Sequence, residues 1–422
     1  MTHLLYLSLY STFYKFHCTM VLVCFEKEML MQLSTYRFSV LVSIVFISGF
    51  AQGMLLPLIA VIFEQDGTSA SLNGFHATAL YIGILIASPF IEKPLRRFGY
   101  KPLILAGLLA VILCFAMFPV WKVFWFWFVL RLLIGIGDHM LHFSTQTWIT
   151  SNSPENKRGR NISLYGIAFG AGFGIGPLMT KMLEINENLP FWLAAGLCLI
   201  SFILMTTIRN ERPETESART AGVTAIDRYK DVLKIAWVSL LPPFAYGFLE
   251  ATLHGSFPVF ALRNGISLDW VAVLLPAFVL GSLVFQLPLG ILSDKWGRKP
   301  ILIFSFVSGF FSFLATYWSM NNFWILISLF FLSGMFVGSM FSLGIAYMSD
   351  LLPKYHLPAG NILAGISFSI GSMAGPLIGG SFISLFKGGA FVFAICGMLF
   401  ILCLPILFMK NKPQSSLASK SA

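Results

Sequence analysis

Long apolar runs fill most of this chain, and short polar loops interrupt them at even intervals. A helix that crosses a bilayer needs roughly 20 mostly apolar residues. Such runs fall at 38–63, 73–91, 102–120, 123–149, 160–183, 190–208, 235–261, 270–292, 300–319, 323–348, 360–385 and 389–409. They predict twelve helices, because an open sheet would leave its backbone groups unpaired in lipid. Composition agrees: 57% of the 422 residues are hydrophobic and 11% charged, where soluble domains carry about 25% charged residues. The expected class is an all-α membrane protein.

The net charge of +10 invites a nucleic-acid partner, but its distribution argues for topology. With the spans numbered in order, both termini and the loops 2–3, 4–5, 6–7, 8–9 and 10–11 share one face. That face holds 23 of the 28 basic residues; Lys122, Lys181, Arg263 and Lys387 lie on the other, and Arg131 lies within a span. The positive-inside rule makes the basic face cytoplasmic. No nucleic-acid partner is expected. The six cysteines have no metal-ligand spacing, so neither a metal site nor a disulfide framework is expected. Residues 1–36 are apolar but broken by charges, with no small-residue cleavage site, and read as a poorly ordered extension, not a signal peptide.

The chain repeats itself. "RFGYKPLIL" at 97–105 returns as "KWGRKPILI" at 295–303, and "GFAQG" at 49–53 as "GFLEA" at 247–251, both at an offset of 198. "GIGPL" at 174–178 meets "MAGPL" at 373–377, and Pro154 meets Pro353, at 199. The expected organisation is an N-terminal six-helix bundle (37–208), a linker (209–234), a C-terminal six-helix bundle (235–410) and a tail (411–422). Duplicated bundles of this kind belong to transporters that rock around a site at mid-membrane depth.

The loop "GILSDKWGRK" supplies the sharpest motif: Gly290, Asp294, Lys295, Gly297, Arg298 and Lys299 fit G-x-x-x-D-[RK]-x-G-R-[RK]. With the duplication and the twelve spans, it resembles the major facilitator superfamily over residues 37–410, in the manner of its twelve-helix bacterial drug or metabolite exporters. Gly290 is expected to allow close helix approach, and Asp294 to meet a helix N-terminus, where a carboxylate is favoured. The resemblance implies that this loop latches the halves in one state and releases them in the other. The first-half copy departs, with Glu92 and Arg96 where glycine and the acid belong. A second pair of motifs, Gly172-x-x-x-Gly176-Pro177 and Gly371-x-x-x-Gly375-Pro376, is similar to the glycine–proline motif of the family's antiporters. Ser163, Thr180 and Ile362 break that pattern, and generic tight helix packing explains it equally well.

The segment "RLLIGIGDHMLHFSTQ" places Arg131, Gly135, Asp138, His142 and Thr145 on one helical face inside an apolar span. Charge at mid-bilayer costs several kcal/mol or more, so this stripe is expected to face protein or a watery cavity. Tyr246, Glu250 and His254 recur every four residues in span 7, and Gln52 in span 1 stands at the repeat position of Glu250. The resemblance implies that spans 1, 4, 7 and 10 line the transport path. A carboxyl group in a poorly solvated cavity can load and release a proton near neutral pH. Asp138 and Glu250 are therefore the expected carriers of a proton or substrate cation, Arg131 a tuner of Asp138 or a holder of anionic groups, and His142 and His254 relays. Alternatives stand beside these: a static Arg131–Asp138 pair within span 4, a structural Glu250, and histidines that only pack.

The function these residues favour is proton-coupled export of small amphiphilic or cationic compounds by a plasma-membrane monomer. The proton is the coupling ion and no cofactor is needed. Proton-coupled uptake of a small nutrient is the rival, and a non-transporting sensor or scaffold a more distant one. An enzyme is disfavoured: the sequence offers no nucleophile–base pair, no metal cluster and no phosphate-cradling glycine loop.

Overall fold

The computed structural model describes residues 35–153, 155–213, 225–353, 356–386 and 390–409, and its regular structure there is helical. Twelve helices are long and apolar enough to cross a membrane: α1 Thr35–Gln65, α2 Ala70–Ala87, α3 Tyr100–Met117, α4 Phe124–Asn152, α5 Arg160–Glu184, α6 Leu189–Thr206, α7 Asp227–Gly255, α8 Leu268–Trp296, α9 Arg298–Thr316, α10 Phe323–Leu351, α11 Leu357–Leu385 and α12 Phe391–Phe408. Residues 1–34 of the expected extension and the tail 411–422 lie outside the described residues, as do 214–224 of the linker.

The repeat is visible in the backbone itself. Ser69 and Ser267, 198 residues apart, cap α2 and α8 by accepting from Leu72 N and Trp270 N. The glycines at positive φ fall into two pairs at the same spacing, Gly67 with Gly265 and Gly99 with Gly297. Only glycine takes this left-handed geometry cheaply. It turns the chain out of the first helix of each half, and again into α3 and α9.

Packing repeats as well. Within the N-terminal half, α1 and α5 touch backbone to backbone. A Cβ on Gly172 would strike the Phe46 carbonyl, one on Gly49 the Phe169 carbonyl, and one on Gly176 the backbone at Gly53 and Met54. In the C-terminal half α7 and α11 do the same, with Gly371 against the Phe244 carbonyl, Gly375 against Phe248 and Gly247 against Phe368. The glycine–proline motifs thus hold helices together inside each half. Their prolines differ in effect: at Pro177 α5 tightens into a 3₁₀ segment, Gly176–Glu184, whereas α11 runs straight through Pro376. The halves meet along two seams, α2 against α11 and α5 against α8.

Two boundaries differ from the sequence expectation. A charged amphipathic helix, Ala225–Ala236, overlaps the end of the segment read as linker and leads into the rest of α7; its Val232 is buried with Met348, Leu352 and Ala359. Its polar face hid a helix whose other face covers the bundle. Span 7 then stops at Gly255, and a separate turn, Phe257–Arg263, replaces its expected end. Pro258 starts that turn where its missing N–H is tolerated.

The two faces are built differently. On the basic face Glu211, just past α6, gathers the N-terminal half. It accepts from Arg37, from Trp148 Nε1 at 2.7 Å and from Asn152 at 2.5 Å, while its carbonyl takes Tyr100 N. Lys101 caps the last carbonyls of α6, at Thr206 and Ile208, and its repeat equivalent Lys299 caps those of α12, at Leu407 and Met409. These contacts stay within one half. The ion pairs that join the halves, Arg263–Glu64 and Lys181–Asp269, lie on the opposite face. The bundle is therefore closed on the face away from the basic loops.

Candidate functional site

Asp138 stands at the middle of α4, fourteen residues and about 21 Å from either end. Only 4% of it is exposed. Its carboxylate accepts from Ser48 Oγ at 2.5 Å and from Gln52 Nε2, both on α1. His142, one turn along, brings Nε2 to 3.1 Å from Ser48 Oγ and 3.5 Å from Asp138 Oδ1, and its Nδ1 lies 2.7 Å from the Tyr165 hydroxyl of α5. One proton assignment satisfies the chain: Tyr165 donates to Nδ1, Nε2–H donates to Ser48, and Ser48 donates to Asp138. The result is a continuous hydrogen-bonded line across α5, α4 and α1. Along the α4 stripe Arg131 is fully buried, Asp138 nearly so and His142 half-buried, and Thr145 beyond them is buried again. His142 and Tyr165 lie nearer the basic-face ends of α4 and α5 than Asp138 lies to that of α4, so the line leads toward that face.

Glu250 occupies the corresponding depth in the other half and is 8% exposed. Its side-chain hydrogen-bond partner is Tyr246, one turn earlier. His254, expected as a relay, turns away: Nδ1–H donates to the Glu250 backbone carbonyl at 2.9 Å, and the ring packs on Phe173 of α5, centroids 4.5 Å apart. Neither Asp138 nor Glu250 has a lysine or arginine partner among the described residues.

Arg131 corrects the sequence expectation. It shares a helix face with Asp138 but bonds to His76 of α2, with Nη1 3.0 Å from the imidazole Nδ1. His76 Nε2 lies 3.2 Å from the Phe124 carbonyl, which makes Nε2 the protonated nitrogen and leaves Nδ1 to accept from the guanidinium. Phe63 and Phe124 pack their rings around this imidazole. The static Arg131–Asp138 pair does not form. Tyr81 of α2 lies within electrostatic reach of Arg131, Asp138 and Glu250, and its hydroxyl pairs with Ser372 of α11.

Sequence reading thus found Asp138, Gln52, His142, Glu250 and Tyr246, which the fold assembles into two buried carboxyl centres. It missed Ser48, Tyr165, His76 and Tyr81. A lone histidine inside an apolar run was the one available signal for His76. Serines and tyrosines in such runs are too common to stand out.

The motif loop lies apart from this centre. Asp294 pairs with Arg298 in its own turn at 2.5 Å instead of reaching a helix N-terminus, and Arg298 also bonds Ser293 and Asp350. A Cβ on Gly290 would meet nothing within 4 Å, so no helix approaches there in this conformation. Lys295 is exposed and Lys299 caps α12. In the first-half copy Glu92 pairs with Arg96 four residues on. Among the described residues, the ion pairs and side-chain hydrogen bonds of Asp294 and Arg298 stay within their own half.

Comparison with known proteins decides the family. The model of the Major Facilitator Superfamily matches residues 41–275 and 243–422. The chain belongs to that superfamily. It is 48% identical over 383 residues to YfkF of Bacillus subtilis, an uncharacterized MFS-type transporter, covering 91% of this chain and 98% of the relative. YcaD of Escherichia coli, also an uncharacterized MFS-type transporter, is 24% identical over 85% of this chain and 91% of its own length. Among solved structures, the nucleoside transporter NupG superposes with a TM-score of 0.70 at 14% identity, over 89% of this chain and 99% of that one. A bacterial homologue of the human lysosomal transporter Spinster, inward-facing and unoccupied, superposes at 0.62 and 16% identity, over 89% and 94%. These likenesses establish the fold, and the family makes the chain a membrane transporter.

Proposed function

We propose that this transporter is a proton-coupled exporter of small amphiphilic or cationic compounds, working by alternating access in the plasma membrane with its basic face in the cytoplasm. One observation carries the reading: two buried carboxyl groups, one per half, sit at mid-span with no lysine or arginine partner among the described residues. A carboxylate left so in a low-dielectric interior is costly unless it binds a proton or a cation. Proton and cationic substrate then compete for Asp138 and Glu250. The Tyr165–His142–Ser48 line gives Asp138 a proton path toward the basic face, and Phe169, Phe173, Tyr246 and Phe368 supply aromatic surface for an amphiphilic guest. The proton is the only coupling species needed, no cofactor enters, and the monomer is the working unit.

The test uses the purified full chain in proteoliposomes, with a pH-sensitive dye inside and a panel of cationic dyes and antibiotics as probes. Substrate-linked proton movement is expected from the native protein and lost in both Asp138→Asn and Glu250→Gln. Survival of that movement in both variants overturns the mechanism. Uptake of a polar metabolite is the second reading, favoured by the hydroxyl- and amide-rich setting of Asp138. A nucleoside belongs in the panel because NupG is named a nucleoside transporter. Flux in oppositely oriented vesicles separates the two directions, and a protein that moves no probe under any gradient is left with the sensor reading.

A further inference from the structure

The two seams between the halves are equivalent by symmetry and different in chemistry. On the face away from the basic loops, Lys181 of α5 bonds Asp269 of α8 at 2.7 Å. The 199-residue offset of the glycine–proline motifs carries Lys181 to Gly380, and the 198-residue offset of the Ser69 and Ser267 caps carries Asp269 to Ser71, next to Ala70. Gly380 and Ala70 also meet, but as backbone: a Cβ on Gly380 would strike the Ala70 carbonyl, and one on Gly74 the Pro376 carbonyl. Ser71 N donates to Ser384 Oγ beside them at 3.1 Å, and Ala60, Ala70 and Val259 bury one another at the same level. The α2/α11 seam is thus closed backbone to backbone. The α5/α8 seam meets through side chains, with Leu283 and Val279 against Gly170 and Gly174, and ends in an exposed ion pair.

A second ion pair stands between the seams. Arg263 and Glu64 come from corresponding stretches of the two halves, one position off strict equivalence, since the 198-residue offset of Gly67 and Gly265 pairs Glu64 with Leu262 and Gln65 with Arg263. Arg263 Nε and Nη2 reach the two carboxylate oxygens at 2.7 and 3.0 Å. The exposed Lys181–Asp269 pair is weak, and the half-buried, bidentate Glu64–Arg263 pair, though stronger, can also exchange its partner for water once the face opens. Interdigitated backbone has no such substitute and resists separation.

We infer that the closed face opens asymmetrically: the α5/α8 seam parts as Lys181–Asp269 and Glu64–Arg263 break, while the α2/α11 seam stays shut and serves as the hinge. The inference deepens the alternating-access reading and is independent of which acid carries the proton. Its test needs no substrate, so it can fail while proton coupling stands.

The experiment places nitroxide labels on the full chain in nanodiscs, in a cysteine-free background. Ile185→Cys with Leu268→Cys reports on the ionic seam, and Leu72→Cys with Leu385→Cys on the packed one. Each distance is read by pulsed electron resonance in the native charge background and with Lys181→Glu plus Arg263→Glu, which sets like charges across both pairs. The expected result is a shift of the Ile185–Leu268 distance to longer values, with Leu72–Leu385 unchanged. Lengthening of both pairs together, or of neither, overturns the asymmetry. The exchange Glu64→Arg with Arg263→Glu restores an ion pair between the halves and controls for misfolding; it is expected to keep both native distances, and lengthening in that variant also counts against the gate.

Discussion

Replacing Gly172 by alanine tests the closest contact between α1 and α5. The new Cβ would sit inside van der Waals range of the Phe46 carbonyl and 2.8 Å from Phe50 N, and both obstacles are backbone. Overpacking a core typically costs about 1–3 kcal/mol, and immovable neighbours put this site near the upper end. Alanine returns about 1 kcal/mol through its better helix propensity. The net loss is then about 2 kcal/mol. Gly166, six residues earlier on the same helix, meets nothing within 4 Å, so Gly166→Ala collects only the propensity gain. The two variants should differ by about 3 kcal/mol. For a chain this long that is on the order of 3 °C in unfolding midpoint. Thermal unfolding in detergent, followed by tryptophan fluorescence and helical circular dichroism, measures the gap. Equal midpoints, or a more stable Gly172→Ala, would mean that α1 and α5 are not in backbone contact, and the symmetric packing scheme would fall with them.

Two further outcomes follow from buried and clustered polar groups. His76→Phe fills the aromatic cage but removes the acceptor of Arg131; a buried donor left unsatisfied costs about 1–3 kcal/mol, and His76→Gln should recover part of it by accepting from the guanidinium. An unchanged midpoint in His76→Phe would show that Arg131 finds another partner. Glu211→Ala frees Arg37, Trp148 and Asn152 at the basic face and should cost about 2 kcal/mol, discounted for partial exposure, with faster proteolysis after residue 211 as the readout. A protease pattern identical to the native one would remove Glu211 from its role as the clasp of the N-terminal half.

Among the described residues Asp294 and Arg298 pair within their own half, and Gly290 has open space beside it. If the loop latches the halves as the family resemblance implies, helices come close at Gly290 in the other state. A Gly290→Ala chain that folds normally yet fails to transport would locate that approach.

Hydropathy and the 198-residue repeat sufficed for the twelve spans, the two halves, the basic face and the presence of mid-membrane acids, because each is local: length and periodicity say that a helix crosses and which face is polar. The mistaken linker boundary is the same rule in reverse, since the charges of Asp227–Lys234 masked a helix that only docking against Met348 and Ala359 reveals. Partner choice was never local. Arg131 and Asp138 share a face, yet the arginine bonds across to α2 because His76 there offers a lone pair inside an aromatic cage. Glu64 meets Arg263 only because two halves rotate onto one axis. A sequence fixes the direction in which a side chain leaves its helix; which neighbour waits there depends on how twelve helices pack.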